Sequence, residues 1–93
     1  MTTHSLTTLS NSAATRLTPN GTHSGMDITI QNVDASAIVY IGGEGVTSSS
    51  YGFRLAPGSA FSIELSGKDS LYAITDTNGS SVAVLKTNLE SGN

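Results

Sequence analysis

The sequence contains no cysteine and no tryptophan. The first absence excludes a disulfide framework, a thiol nucleophile and every thiolate metal site. The second leaves three tyrosines and two phenylalanines as the whole aromatic inventory of the 93 residues. Charge is scarce as well: 12% of residues are charged, four basic against seven acidic, for a formal net charge of -3. The four cations, Arg16, Arg54, Lys68 and Lys86, are scattered along the chain, whereas a nucleic-acid footprint needs them clustered. No nucleic-acid partner is therefore expected. No apolar run approaches the roughly 20 residues that span a bilayer, so no membrane partner is expected either. Residues 1–15 carry neither the positive nor the apolar region of a secretory leader. On that reading the sequons Asn20-Gly21-Thr22 and Asn78-Gly79-Ser80 are idle.

Serine, threonine and glycine take the place of the missing charge. A polar chain of this kind stays disordered unless it buries enough apolar surface to offset chain entropy. From Met26 onward, however, apolar residues arrive in short, regularly spaced packets. Met26 to Gln31 alternates apolar and polar, as does Phe61 to Ser66, which places Phe61, Ile63 and Leu65 on one face. Ala13–Leu17, Ala37–Ile41, Phe53–Leu55, Leu71–Ile74 and Val82–Leu85 supply the other expected strands. Ala37–Ile41, almost wholly apolar, reads as a strand covered on both faces. Turn chemistry separates these runs at Pro19-Asn20-Gly21, Asn32–Ser36, Gly42–Gly45, Ala56-Pro57-Gly58-Ser59, Gly67-Lys68-Asp69 and Asp76–Gly79. Pro at the second position and Gly at the third make Ala56–Ser59 a type II turn. No segment has helical spacing over two turns. The expected fold is all-β, a small antiparallel sandwich or barrel of about six to eight short strands. Its domain spans residues 13–87. Residues 1–12, anchored only by Leu6 and Leu9, form a flexible arm or a weak first strand, and 88–93 a frayed tail. A core this small is only marginally stable, which favours oligomerisation or docking on a larger body.

Residues able to carry chemistry are few. His4 lies in the polar arm and His23 in a Gly/Ser/Thr loop. Asp27 follows His23 by four residues, which in an extended chain separates them by about 13 Å, too far to share a metal ion. Asp76-x-Asn78-Gly79 resembles the start of a calcium loop, but the glycine comes early and no glutamate closes the motif; it reads as a turn. Gly42-Gly43-Glu44-Gly45 lacks the Lys-Ser/Thr of a phosphate loop and reads as a strand end with unusual φ values. There is no G-x-S-x-G elbow. Serines are too abundant to single out a triad, and the acids look like solvated turn and strand charges. No catalytic residue, cofactor or metal ligand is assigned, and no enzymatic activity is expected. Tyr40 and Tyr72, inside expected strands, read as core-wall residues. Tyr51, in the longest loop, is a contact candidate. With Leu6, Leu9 and Val46 it makes up the set of expected partner-contact residues.

Several phrases occur together: Asp27–Val33, Ala37-Ile38-Val39-Tyr40-Ile41-Gly42-Gly43, Val46-Thr47, Gly52–Gly58, Asp69–Ile74 and Val82–Leu85. Over residues 26–86 this pattern resembles a group of small virion structural proteins of tailed bacteriophages. The resemblance implies a non-enzymatic capsid decoration (cement) protein, bound in many copies outside the head shell and stabilising it. Its implied partners are the major capsid protein and further copies of itself, as trimers on the shell. Its implied location is the capsid surface, after synthesis in the host cytoplasm. A tail, neck or fibre-associated module that contacts the host, and a carbohydrate-binding β-sandwich, are the alternatives. A hydrolase using His23 as general base has the least support.

Overall fold

The structure is a computed structural model that describes residues 3–18, 25–65 and 70–88. Eight strands follow in order: β1 Thr3–Thr8, β2 Thr15–Arg16, β3 Met26–Asn32, β4 Val39–Gly42, β5 Phe53–Leu55, β6 Ala60–Leu65, β7 Tyr72–Thr75 and β8 Ser81–Asn88. They form two four-stranded sheets, ordered β1-β8-β3-β6 and β2-β7-β4-β5, with every pairing antiparallel. Only β4 and β5 are both consecutive and paired; each other connection crosses between the sheets. This order is that of a jelly roll, two Greek keys folded into a sandwich. No helix occurs among the described residues.

Period-two alternation explains how the sheets meet. In β3, Met26, Ile28, Ile30 and Asn32 are buried, while Asp27, Thr29 and Gln31 point outward. The register carries the same parity to Val82 and Val84 on β8 and to Phe61, Ile63 and Leu65 on β6. The second sheet answers with Val39 and Ile41 of β4, Leu55 of β5 and Ala73 of β7. Leu9, Leu17 and Leu71 close the ends of the core. Each large side chain buried here contributes about 1.5–3 kcal/mol.

Residues 3–8, the greater part of the expected arm, form β1 along the edge of the first sheet, in register with Ser81–Lys86 of β8. The backbone of Leu9 continues the attachment, donating to Ser80 O and accepting from Gly79 N. Ala37–Ile41 is not covered on both faces. Val39 and Ile41 are buried, but Tyr40 is half-buried and faces outward, where its cross-strand neighbour Ile74 is itself covered. Phe61 and Ile63 point inward as expected. They stay partly exposed, Ile63 at 39%, because β6 is an edge strand. The turn at Ala56–Ser59 forms with Ser59 N donating to Ala56 O and Gly58 at φ 81. The expected turns at 19–21 and 67–69, His23 and the expected tail beyond residue 88 lie outside the described residues.

One polar residue sits inside the core. Asn32, fully buried at the end of β3, donates through Nδ2 to Ala37 O (2.7 Å) and Leu55 O (3.1 Å), and its Oδ1 accepts from Asp34 N. Its backbone N–H donates to Ser59 O and its carbonyl accepts from Gly58 N. One residue thereby fixes the β3–β4 crossover, β5 and the β5–β6 turn. Asp34 continues the crossover by accepting from Ser36 N and Ala37 N. Those two backbone donors, aided by the Ser80 and Ser36 hydroxyls against a small desolvation effect, hold its carboxyl below the ordinary value of 3.8.

Asn32→Ala removes a donor from two buried carbonyls and is expected to cost about 2–4 kcal/mol in chemical denaturation. Asn32→Asp, whose carboxylate cannot donate, should be comparably damaged. A loss within experimental error for both would remove the locking role. The lowered carboxyl of Asp34 contributes stability that is full above its ordinary value and is lost as pH falls through its depressed folded value. Asp34→Asn keeps an acceptor but cannot titrate. It should flatten the acid limb of the denaturation midpoint between about pH 5 and pH 2, whereas an unchanged acid limb would contradict the assignment.

Candidate functional site

The two sheets present outer faces of different chemistry. On the second sheet, parity places Arg16 of β2, Tyr72 and Ile74 of β7, Tyr40 and Gly42 of β4 and Arg54 of β5 on the outside. Two cross-strand pairs result, Arg16 with Tyr72 and Tyr40 with Arg54. Tyr40 stands diagonally from Tyr72, roughly 7–8 Å away by sheet geometry. The β4–β5 connection brings in Tyr51, which packs on Tyr40 with ring centroids 4.8 Å apart and 46% of its surface exposed. All three tyrosines and both arginines of the chain therefore share one face.

Arg16 is held firmly. Its Nε donates to Thr18 O, Nη1 to Tyr72 Oη (3.1 Å) and Nη2 to Ser70 Oγ (2.8 Å), with the guanidinium carbon 5.7 Å from the Tyr72 ring centroid. Arg54 is exposed at the other end of the face.

The β4–β5 loop borders a shallow hollow of about 270 Å³ lined by Gly42, Gly43, Gly45, Val46, Ser50, Tyr51 and Gly52. The loop is held by Val46 N donating to Gly43 O, by a reciprocal Thr47–Ser50 backbone pair and by Gly52 N donating to Ile41 O. The unusual φ values expected for Gly42–Gly45 are not found: among the described residues, positive φ occurs only at Gly58 and Gly79. Gly42 is required for another reason. A Cβ there would lie 3.2 Å from Val46 Cγ2, because the loop folds Val46 down against the sheet. At Gly43 and Gly45 an added methyl meets nothing within 4 Å.

The outer face of the first sheet is apolar on one side and acidic on the other. Leu6 of β1 lies opposite Ala83, with Leu85 one pair along the same face. Leu6 is 71% and Leu85 43% exposed, and they flank an open groove of about 280 Å³ with His4, Thr29, Gln31 and Ala83. Across the sheet, Asp27 of β3 and Glu64 of β6 are directly paired. A third apolar feature lies along the seam between β5 and β6, where Phe53 and Phe61 rings meet at 4.4 Å beside Ile63.

Of the four expected contact residues, Leu6 and Tyr51 are on the surface, on faces of different sheets, whereas Leu9 and Val46 are buried in support of the fold. The structure does not bring the four together. Sequence reasoning missed Leu85, Phe53 and Arg54 as surface groups and placed Tyr40 and Tyr72 in the core wall. Counting parity from Val39 and Ile41 through the ladders would have turned both tyrosines outward. Asp76–Gly79 is a turn between β7 and β8, as expected. Asp76 Oδ1 accepts from Ile38 N and Thr77 Oγ1, and Asn78 Oδ1 accepts from Asn11 N. His4 is exposed on β1. Among the described residues no group of three His, Asp or Glu side chains is placed to hold a metal ion. The arrangement is suited to stacking and anion pairing on one face and to apolar docking on the other.

No known protein family, curated protein or solved structure matches the chain.

The glycine geometry yields a graded expectation. Gly58→Ala and Gly79→Ala force a methyl-bearing residue into positive φ and should each cost about 1–2 kcal/mol. Gly42→Ala should cost about 1 kcal/mol through Val46. Gly43→Ala should stay within about 0.5 kcal/mol of the parent. Thermal or urea denaturation of the four variants checks the order, and a costly Gly43→Ala would mean that the position is sterically constrained after all.

Proposed function

We propose that the chain is a non-enzymatic virion structural protein that decorates the outside of a bacteriophage head shell in many copies. The observation that carries the reading is the Leu6–Leu85 surface on the outer face of β1 and β8. Two large aliphatic side chains stand there in water beside an open groove. Exposed apolar surface of this kind gains free energy when a partner covers it. The motif resemblance over residues 26–86 supports the major capsid protein as the partner. The jelly-roll order supports the reading by analogy, since capsid domains are among the proteins that use it. Many weak docking events across a lattice add up to firm attachment.

The carbohydrate-binding alternative is favoured by a separate observation, the tyrosine-rich face of the other sheet, and does not compete for the same surface. No described feature favours a tail or neck position over the shell.

Quantitative mass spectrometry of purified particles tests the proposal. Hundreds of copies in simple ratio to the shell subunit are expected; a handful would move the protein to the neck or tail, and absence would discard the virion reading. Leu6→Asp and Leu85→Asp alter exposed side chains and should leave folded stability within about 0.5 kcal/mol. The same substitutions should strongly reduce occupancy on shells, and full occupancy by both variants would remove the β1–β8 face from the docking surface.

A further inference from the structure

The face of β2-β7-β4-β5 remains without a role. The geometry points to a binding site for an acidic glycan, a short run of pyranose rings bearing a carboxylate, with Tyr40 and Tyr51 as the stacking platform and Arg54 as the anion partner. This does not rest on the virion reading, which uses the opposite sheet.

Three observations carry it. The first is segregation. A chain with only three tyrosines and two arginines places all five on one sheet face, while the strands of that sheet carry no Asp or Glu. The outer face of the other sheet carries Asp27 and Glu64. A negatively charged ligand is thus attracted to the tyrosine face and repelled from the acidic one. Two carboxylates lie nearby: Glu44 of the loop, which does not line the hollow, and Asp76, directly after β7, whose Oδ1 is engaged by Ile38 N and Thr77 Oγ1.

The second is the shape of the aromatic surface. Tyr51 and Tyr40 meet at 4.8 Å with their planes tilted by 43°, and Tyr51, the more exposed of the two, offers its ring to solvent. Rings of this kind offer large, rigid contact area with a polar tip. The C–H face of a pyranose suits such a surface, and its hydroxyls need hydrogen-bonding groups around it. Ser50 and the glycine backbone of the hollow lie directly beside Tyr51. Arg54 stands opposite Tyr40 across the β4–β5 ladder, where its planar fork can take a carboxylate.

The third is the pair of glycines the fold does not require. Gly43 and Gly45 have neither positive φ nor a neighbour that a methyl would strike. Any small side chain would satisfy the backbone there. What glycine does at both positions is keep the hollow beside Tyr51 open and its peptide groups accessible.

Single-stranded nucleic acid also stacks on aromatic rings, but it brings a charge with every nucleotide. A chain of net charge -3 with two arginines on the face is poorly matched to that density. A glycan with an occasional carboxylate asks for the one or two cations present.

The full isotope-labelled chain, titrated by NMR with a hyaluronan hexasaccharide, with sialyllactose, with neutral maltohexaose and with a short oligothymidylate, tests the assignment. At least one acidic sugar is expected to shift Tyr40, Tyr51, Arg54 and the amides of residues 43–45, saturating at about millimolar concentration. Tyr51→Ala and Arg54→Ala, both at exposed positions, should weaken that binding about tenfold. Gly45→Leu, built into open space, should block it while the rest of the spectrum stays that of the parent. Silence with both acidic sugars, equal response to maltohexaose, shifts confined to the Leu6–Leu85 groove, or preference for oligothymidylate would each overturn the assignment. None of those outcomes bears on copy number in particles, so failure here and failure of the virion reading are distinguishable.

Discussion

The buried amide of Asn32 is the constraint on which the two-sheet arrangement turns. A jelly roll of this size has almost no local pairing, since five of its six ladders join strands that are distant in sequence. Burial of aliphatic side chains drives the sheets together but is not directional. Direction comes from hydrogen bonds that exist in one register only. Asn32 reaches Ala37 O before β4 and Leu55 O at the end of β5, while its own peptide groups hold the Gly58-Ser59 turn. A one-residue slip of β4 would break these bonds and reverse every side chain on the strand. It would bury Tyr40 and expose Val39 and Ile41. The parity of the tyrosine face is thus set by an amide on the other sheet.

Around that lock, the edges differ in how well they are finished. The β2 edge is only two residues long and is tied down by Arg16 through Thr18, Ser70 and Tyr72. On the opposite side, β6 runs for six residues with Phe61 and Ile63 incompletely covered, and Phe53 of β5 leans across the gap to Phe61. β1 is unusual in another way. Its inward positions are Thr3, Ser5 and Thr7, and its leucine faces out. The strand is attached by its ladder to β8 and by Leu9 at its end, with little side-chain burial of its own. A strand held in that manner opens at lower free energy than the core strands.

The same distinction explains what could be read from the sequence. Alternation in Met26–Gln31 and Phe61–Ser66 and the Pro57-Gly58 turn are local signals, and each strand and turn they announced is present. Ala37–Ile41 misled because apolar content alone does not say whether a tyrosine in the run is packed or merely flanked by packed residues. For residues 1–12 the sequence left an arm and a weak first strand open, because a Ser/Thr segment becomes a strand only if a partner edge exists; for Thr3–Thr8 that partner, β8, lies more than seventy residues away. Gly42–Gly45 misled differently. Glycine is commonest where φ is positive, yet here one glycine answers a steric contact and two answer nothing in the fold. Composition could not gather Tyr40, Tyr51, Tyr72, Arg16 and Arg54 onto one face; only the ladder order does that.

The two outer faces differ in chemistry, and the inner layer separates them. The apolar Leu6–Leu85 groove belongs to strands β1 and β8, and the tyrosine face is carried by β4, β5 and β7, with Ile30, Val39, Val82 and Ala73 fully buried between them. Packing of this kind is dense, and no side chain is shared between the groove and the tyrosine face. Covering the groove therefore removes no group from the tyrosine face. Seated on a shell by the first sheet, the protein would turn the second toward solvent. Each copy would then hold Tyr40, Tyr51 and Arg54 at a fixed orientation, and repetition over a lattice would raise a weak single-site affinity through effective concentration. A marginal core would suit that division of labour, because a docking partner would supply stability that a small buried volume does not.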